Sequence, residues 1–188
     1  WWGLNDNIKG IADRFAAEGF VALAPDMYHG VVTAEPDEAG KLLMALNIPR
    51  AEQDLKGAVT YLKELTGGPV GTVGFCMGGA LSLFAACNSN GDVGACVDFY
   101  GGHPAVKYNW DGLTAPVLGI WAEHDGFVNP NIPTYEAALK ERGRSYEFIT
   151  YPGTQHAFFN DEHPEPEYNP AAAKAAWEKT LAFYRKHL

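Results

Sequence analysis

The string Gly74-Phe75-Cys76-Met77-Gly78-Gly79 follows an apolar run over 70–75 and leads into a run of small residues over 77–87. A nucleophile held on a sharp strand-to-helix turn needs this context, usually written G-x-S-x-G, here with Cys in the Ser position. Such a turn excludes bulk on either side of the nucleophile. Gly74 and Gly78 meet that need, and Gly79 lets the helix pack close to the strand. A helix N-terminus aims backbone N–H groups at the sulfur and favours the thiolate. The Met77 N–H is then a candidate oxyanion donor. The plainer reading is an inert Cys in a glycine-rich turn, so the decision rests on whether an acid and a base follow.

Both follow, in the order nucleophile, acid, histidine. The acid belongs after a late strand. The apolar run 117–122 is such a strand, and Glu123-His124-Asp125-Gly126 comes next. Asp125 is preferred to Glu123 because the loop turns at Asp-Gly. His124 lies beside the acid and not opposite it, which suits a loop residue. After the strand-like run 146–151, the loop Pro152-Gly153-Thr154-Gln155-His156 offers His156 as the general base on Cys76. His29, His103, His163 and His187 share no spacing with carboxylates and read as solvent-exposed. No metal site is indicated.

The elements that must position these groups alternate between helix and strand. Helices are predicted over 5–18, 39–46, 50–65, 77–87, 130–142 and 170–187. Strands are predicted over 70–75, 94–100, 116–122 and 146–151, with a short apolar run over 20–24. Near-continuous apolar strands between helices predict an α/β fold, a mostly parallel sheet covered by helices on both faces. The chain reads as a single domain over 1–188. It opens on Trp1-Trp2-Gly3-Leu4-Asn5 and enters a helix at once, so an N-terminal strand is expected ahead of Trp1.

The chain has 188 residues, enough for one sizeable core, and a formal net charge of −9. That charge repels phosphate backbones and argues against nucleic acid as a partner. No apolar stretch is long enough to span a membrane. Cys76, Cys87 and Cys96 are three thiols without a C-x-x-C, so neither a disulfide framework nor a zinc cage is suggested. Cys87 and Cys96 read as small buried hydrophobes. Free thiols point to a reducing, cytoplasmic setting, although the opening residues leave a signal peptide undecided. Nothing in the sequence distinguishes a monomer from a small homo-oligomer.

With these residues in hand, the chain resembles the dienelactone hydrolase family over nearly its whole length. The resemblance is carried by Gly3-Leu4-Asn5, by Ala22-Leu23-Ala24-Pro25-Asp26-Met27-Tyr28, and by the Cys76 elbow. It continues through Phe99-Tyr100-Gly101, His124-Asp125-Gly126-Phe127-Val128 and His156-Ala157-Phe158. It implies a doubly wound α/β-hydrolase fold and cofactor-free hydrolysis of small-molecule esters or lactones through a Cys-His-Asp triad. It also implies that the backbone N–H of Trp1 is a second oxyanion donor. A Glu that activates the thiol would stand immediately before Trp1. Family members that hold an anionic lactone use arginines, one of them four residues after the catalytic His. Asn160 stands there in this chain, and no Arg occurs between Arg14 and Arg50. Asn offers a neutral hydrogen bond but no charge-assisted fork, which points to a neutral or weakly polar ester. Trp1, Trp2, Tyr100, Phe127, Phe158 and Phe159, with Asn160, are the expected lining of the substrate pocket. The competing readings are a non-catalytic binding member of the same fold and a thiol redox protein. Cys76 has no neighbouring resolving Cys, which disfavours the second.

Overall fold

A computed structural model describes all residues, 1–188. The chain divides into two compact units, 1–68 and 69–188. In the first unit, α1 (Asp6–Ala17) begins where the Asn5 side chain accepts a hydrogen bond from the Ile8 N–H at 3.1 Å. It buries Ile11 and Phe15 and ends before Gly19, whose φ of 92° breaks the helix. Two more helices follow, α2 (Pro36–Met44) and α3 (Ile48–Thr66). Both start earlier than their apolar spacing suggests. A proline sits in the first turn of each, and Asn47 caps α3 through the Arg50 N–H. The apolar run 20–24 is not a strand, because no neighbouring strand pairs with it. His29 is exposed, as read from the sequence, yet it has a partner. The turn at 26–30 brings its Nε2 to 3.2 Å from Asp54 Oδ2 on α3.

In the second unit the apolar runs form a four-stranded parallel sheet. Its strands are β1 (Val70–Phe75), β2 (Val93–Phe99), β3 (Val117–His124) and β4 (Tyr146–Gln155), side by side in that order. Side chains alternate between the two faces. On one face α4 (Met77–Asn88) covers β1 and β2, and Ser82 Oγ donates to the Val97 carbonyl at 2.9 Å. On the other face lies α6 (Pro170–His187), where the Tyr184 hydroxyl donates to the Thr72 carbonyl at 2.7 Å. The helix α5 (Ile132–Glu141) connects β3 to β4. Val97, Phe99, Leu118, Ile120 and Trp121 fill the buried centre. These are the parallel sheet and two-sided helical cover of an α/β-hydrolase. No helix is long and apolar enough to cross a membrane.

The last two strands run further than their apolar cores. β3 continues to His124 and β4 to Gln155, through an irregularity after Ala122. Pro152 and the positive φ of Gly153 (67°) are tolerated because β4 is an outer strand of this sheet. Cys87 and Cys96 are fully buried, as their surroundings in the sequence suggest.

Asp98 is the exception to an apolar β2. It is 1% exposed, and neither carboxylate oxygen has a hydrogen bond of good geometry. Burial pushes its carboxyl up to about 7, offset only in part by the nearby Gly101 backbone. The unfolded carboxyl ionises near 3.8, so between that value and about 7 folding draws a proton onto this group. Its cost is absent below the unfolded value, grows through the interval up to about 7, and is constant above it. The slope is at most roughly 1.4 kcal/mol per pH unit for one proton. Asp98→Asn should therefore gain stability over the parent chain progressively between pH 4 and 7, then level off. Thermal melts of both proteins across that range test this, and a pH-independent difference refutes it.

Candidate active site

Strand register brings the sequence-selected residues to one edge of the sheet. Phe75 pairs with Phe99, so Cys76 and Tyr100 leave the ends of β1 and β2 side by side. His124 pairs with Gln155, so Asp125 and His156 leave the ends of β3 and β4 side by side. The parallel arrangement gathers all four C-terminal strand ends on one rim, where open α/β sheets place their ligands.

Cys76 occupies a strained turn, with φ 57° and ψ −120°. Its N–H donates to the Phe99 carbonyl at 3.0 Å. Its own carbonyl accepts from the N–H groups of Gly79 at 3.0 Å and Ala80 at 3.2 Å, the start of α4. The N–H of Gly102 adds a third bond to that carbonyl, at 3.3 Å. The turn closes because Gly74 has no side chain: a Cβ there would collide with the carbonyl of Gly78. A Cβ on Gly79 or Gly101 would strike the Asp98 carboxylate and neighbouring backbone. Gly78 differs from the expectation. A Cβ there meets nothing within 4 Å, because it is the Gly78 backbone, not its side, that faces Gly74.

Asp125 is fixed before it meets the histidine. Its Oδ1 accepts from the N–H groups of Phe127 at 3.1 Å and Val128 at 3.0 Å. Its Oδ2 lies 2.6 Å from His156 Nδ1. Burial raises the Asp125 carboxyl, but the hydrogen bond and charge of His156 and the two amides outweigh this and hold it low. Since Nδ1 is taken by Asp125, Nε2 is the ring nitrogen left to serve the Cys76 thiol. Burial lowers the imidazole, yet Asp125 and Cys76 together raise it to about 10. For Cys76, burial raises the thiol, but the His156 hydrogen bond and charge and the Met77 N–H hold it below its ordinary value. The three groups therefore shift Cys76 toward thiolate and His156 toward imidazolium, beside a buried carboxylate. That arrangement can attack a carbonyl carbon and protonate a leaving oxygen.

Glu123 and His124 stand apart from this relay. Glu123 Oε2 accepts from the Gly153 N–H at 2.7 Å, and His124 faces Glu123 at 3.4 Å in solvent. His163, read as solvent-exposed, is only partly so, and it pairs with Glu167 at 2.9 Å through a turn that follows Asn160. The expected pocket residues divide. Phe127 is 62% exposed and lies against Gly102. Asn160 is partly exposed, and its side-chain oxygen accepts from the Glu162 N–H at 3.0 Å. Tyr100, Phe158 and Phe159 do not line an open pocket; all three are buried. Phe158 packs on Tyr100 and Tyr151, and Phe159 stacks on Phe75. Aromatic residues at strand ends supply core as readily as pocket, and their spacing alone does not separate the two. Trp1 and Trp2 belong to the first unit, where their rings meet edge to face at 5.8 Å. The sequence does not single out Asp98, and Gly101 enters it only through the Phe99-Tyr100-Gly101 segment of the resemblance. The one signal was a carboxylate inside an otherwise apolar strand.

The dienelactone hydrolase family model matches residues 1–188. Protein usf of Aquifex pyrophilus is 39% identical over 199 residues, which cover 100% of this chain and 85% of that protein. A protein of Aquifex aeolicus (strain VF5), provisionally named a carboxymethylenebutenolidase, is 34% identical over 198 residues, again 100% of this chain and 85% of the relative. Among solved structures, a provisionally assigned dienelactone hydrolase of Klebsiella pneumoniae has a TM-score of 0.86 and 26% identity. That likeness covers 99% of this chain and 83% of the other.

Two measurements probe this geometry. Gly74→Ala should prevent native folding, whereas Gly78→Ala should fold with a circular dichroism spectrum and melting point near those of the parent. Iodoacetamide should label Cys76 alone in the native chain, because burial raises the Cys96 thiol to about 12 and Cys87 higher still. In His156→Ala the labelling midpoint should move to higher pH. Equal labelling of all three thiols would contradict the site.

Proposed function

The chain belongs to the dienelactone hydrolase family, a family of ester and lactone hydrolases, and we propose that it works through Cys76, His156 and Asp125. The single observation that carries this reading is the 2.6 Å contact by which Asp125 holds His156, on strand ends that share one rim with Cys76.

In this reading the Cys76 sulfur attacks the carbonyl carbon and forms a thioester. The Met77 N–H, already directed at the sulfur, stabilises the oxygen that becomes negative. His156 gives the proton to the departing alkoxide. It then takes a proton from water, whose oxygen attacks the thioester and releases the acid. Asp125 stays ionised and stabilises the imidazolium.

The substrate is read as a neutral or weakly polar ester. Asn160 replaces the arginine that would grip a carboxylate, and its side-chain oxygen is engaged in a turn. The exposed residues that follow it include Asp161, Glu162, Glu165 and Glu167, which repel an anion. Short p-nitrophenyl esters should therefore be hydrolysed, and a carboxylate-bearing lactone should be a poorer substrate. Cys76→Ala should lose the activity, and rapid quenching of the parent should trap a thioester on Cys76 by mass spectrometry. Undiminished turnover in Cys76→Ala would overturn the mechanism.

A further inference from the structure

We propose that Tyr100 is a positioning residue that holds the His156 imidazole over Cys76, a role that rests on the relay proposed above. The need for such a residue follows from the topology. His156 leaves the end of β4, whereas Cys76 leaves the end of β1, with β2 and β3 between them. At the usual strand spacing that separation is roughly 14 Å, more than a histidine side chain covers alone. The chain after β4 must fold back across the sheet edge, and something must fasten it there.

Tyr100 is the residue on which it is fastened. It leaves the end of β2, beside Cys76, on the path that His156 must cross. Its own backbone is anchored to the next strand, its N–H donating to the Ile120 carbonyl at 2.8 Å. Its ring centroid lies 5.1 Å from that of His156 at an interplanar angle of 58°, and 5.5 Å from that of Phe158. Its hydroxyl lies beside the Phe159 N–H. Tyr100 thus touches three of the four residues from His156 to Phe159. The fourth, Ala157, has a φ of 65°, and Tyr100 itself has a φ of 40°. Neither is a conformation that these residues adopt without support, and the two strained segments brace each other. With 1% of its surface exposed, Tyr100 is closed to substrate. It acts through the histidine.

The test uses Tyr100→Phe, which keeps the ring and removes only the hydroxyl, with Tyr100→Leu as the variant lacking the platform. Two readouts are needed: steady-state hydrolysis of p-nitrophenyl acetate and the pH profile of Cys76 alkylation by iodoacetamide. For Tyr100→Phe, kcat should fall about five- to tenfold, the loss expected when the hydroxyl no longer holds the turn at Phe159, with KM within about twofold. The alkylation midpoint should move to higher pH, because a misaligned imidazole stabilises the thiolate less. Tyr100→Leu should show both effects more strongly. If it fails to fold, Tyr100→Phe alone decides. A Tyr100→Phe chain with parent kcat and parent alkylation profile overturns the proposal. So does a rise in KM at constant kcat, or a loss of kcat with an unmoved alkylation midpoint. If Cys76→Ala retains turnover, the relay itself fails. If Cys76→Ala is inactive while Tyr100→Phe is unchanged, the relay stands and the role of Tyr100 does not.

Discussion

The close approach of Gly74 to the backbone of Gly78 is the constraint on which the site depends. That approach lets the chain turn from β1 into α4 within one residue, and it forces Cys76 to a φ of 57°. A residue held in this region costs of order 1–3 kcal/mol and persists only where its surroundings over-determine it. Here the surroundings do so through the Cys76 carbonyl, which accepts bonds from Gly79, Ala80 and Gly102, and through the Cys76 N–H bonded to Phe99. The sulfur is thereby presented at the rim of the sheet with the Met77 N–H directed at it.

The remaining geometry follows from strand register. Parallel strands end on the same side, and one residue past each end is a position on the rim. The pairings Phe75 with Phe99 and His124 with Gln155 align those positions, so that Cys76, Tyr100, Asp125 and His156 stand along one edge. Backbone strain gathers at the same edge, at Cys76, Tyr100 and Ala157. Each strained residue is buttressed by the next strand or by a buried ring. The stabilising energy of the sheet core is drawn on where the proposed chemistry takes place.

Asp98 shows that the support beneath the elbow is not purely apolar. Its carboxyl lies where side chains on Gly79 and Gly101 would otherwise sit, and its burial favours the neutral acid up to about pH 7. Two glycines and one small acid fill the space between α4 and β2. A methyl group on either glycine would strike backbone there, which explains why the small residues cluster at this point in the chain.

The sequence by itself determined the chain order of Cys76, Asp125 and His156, the parallel α/β architecture, and the burial of Cys87 and Cys96. These are local properties: apolar runs of strand length, glycines flanking a cysteine, and turn residues after late strands. Helix starts were less legible where proline and Asn47 moved them upstream of the apolar pattern. Only the tertiary structure decided the rest. It set Asp125, not Glu123, against His156, because strand pairing continues to His124 and Gln155 and the Glu123 carboxylate accepts from the Gly153 N–H. It moved Tyr100, Phe158 and Phe159 from an expected pocket into the core, and it gave Gly74 and Gly78 unequal duties. Such outcomes depend on which surfaces meet across the sheet, and the spacing of residues along one chain carries no record of that.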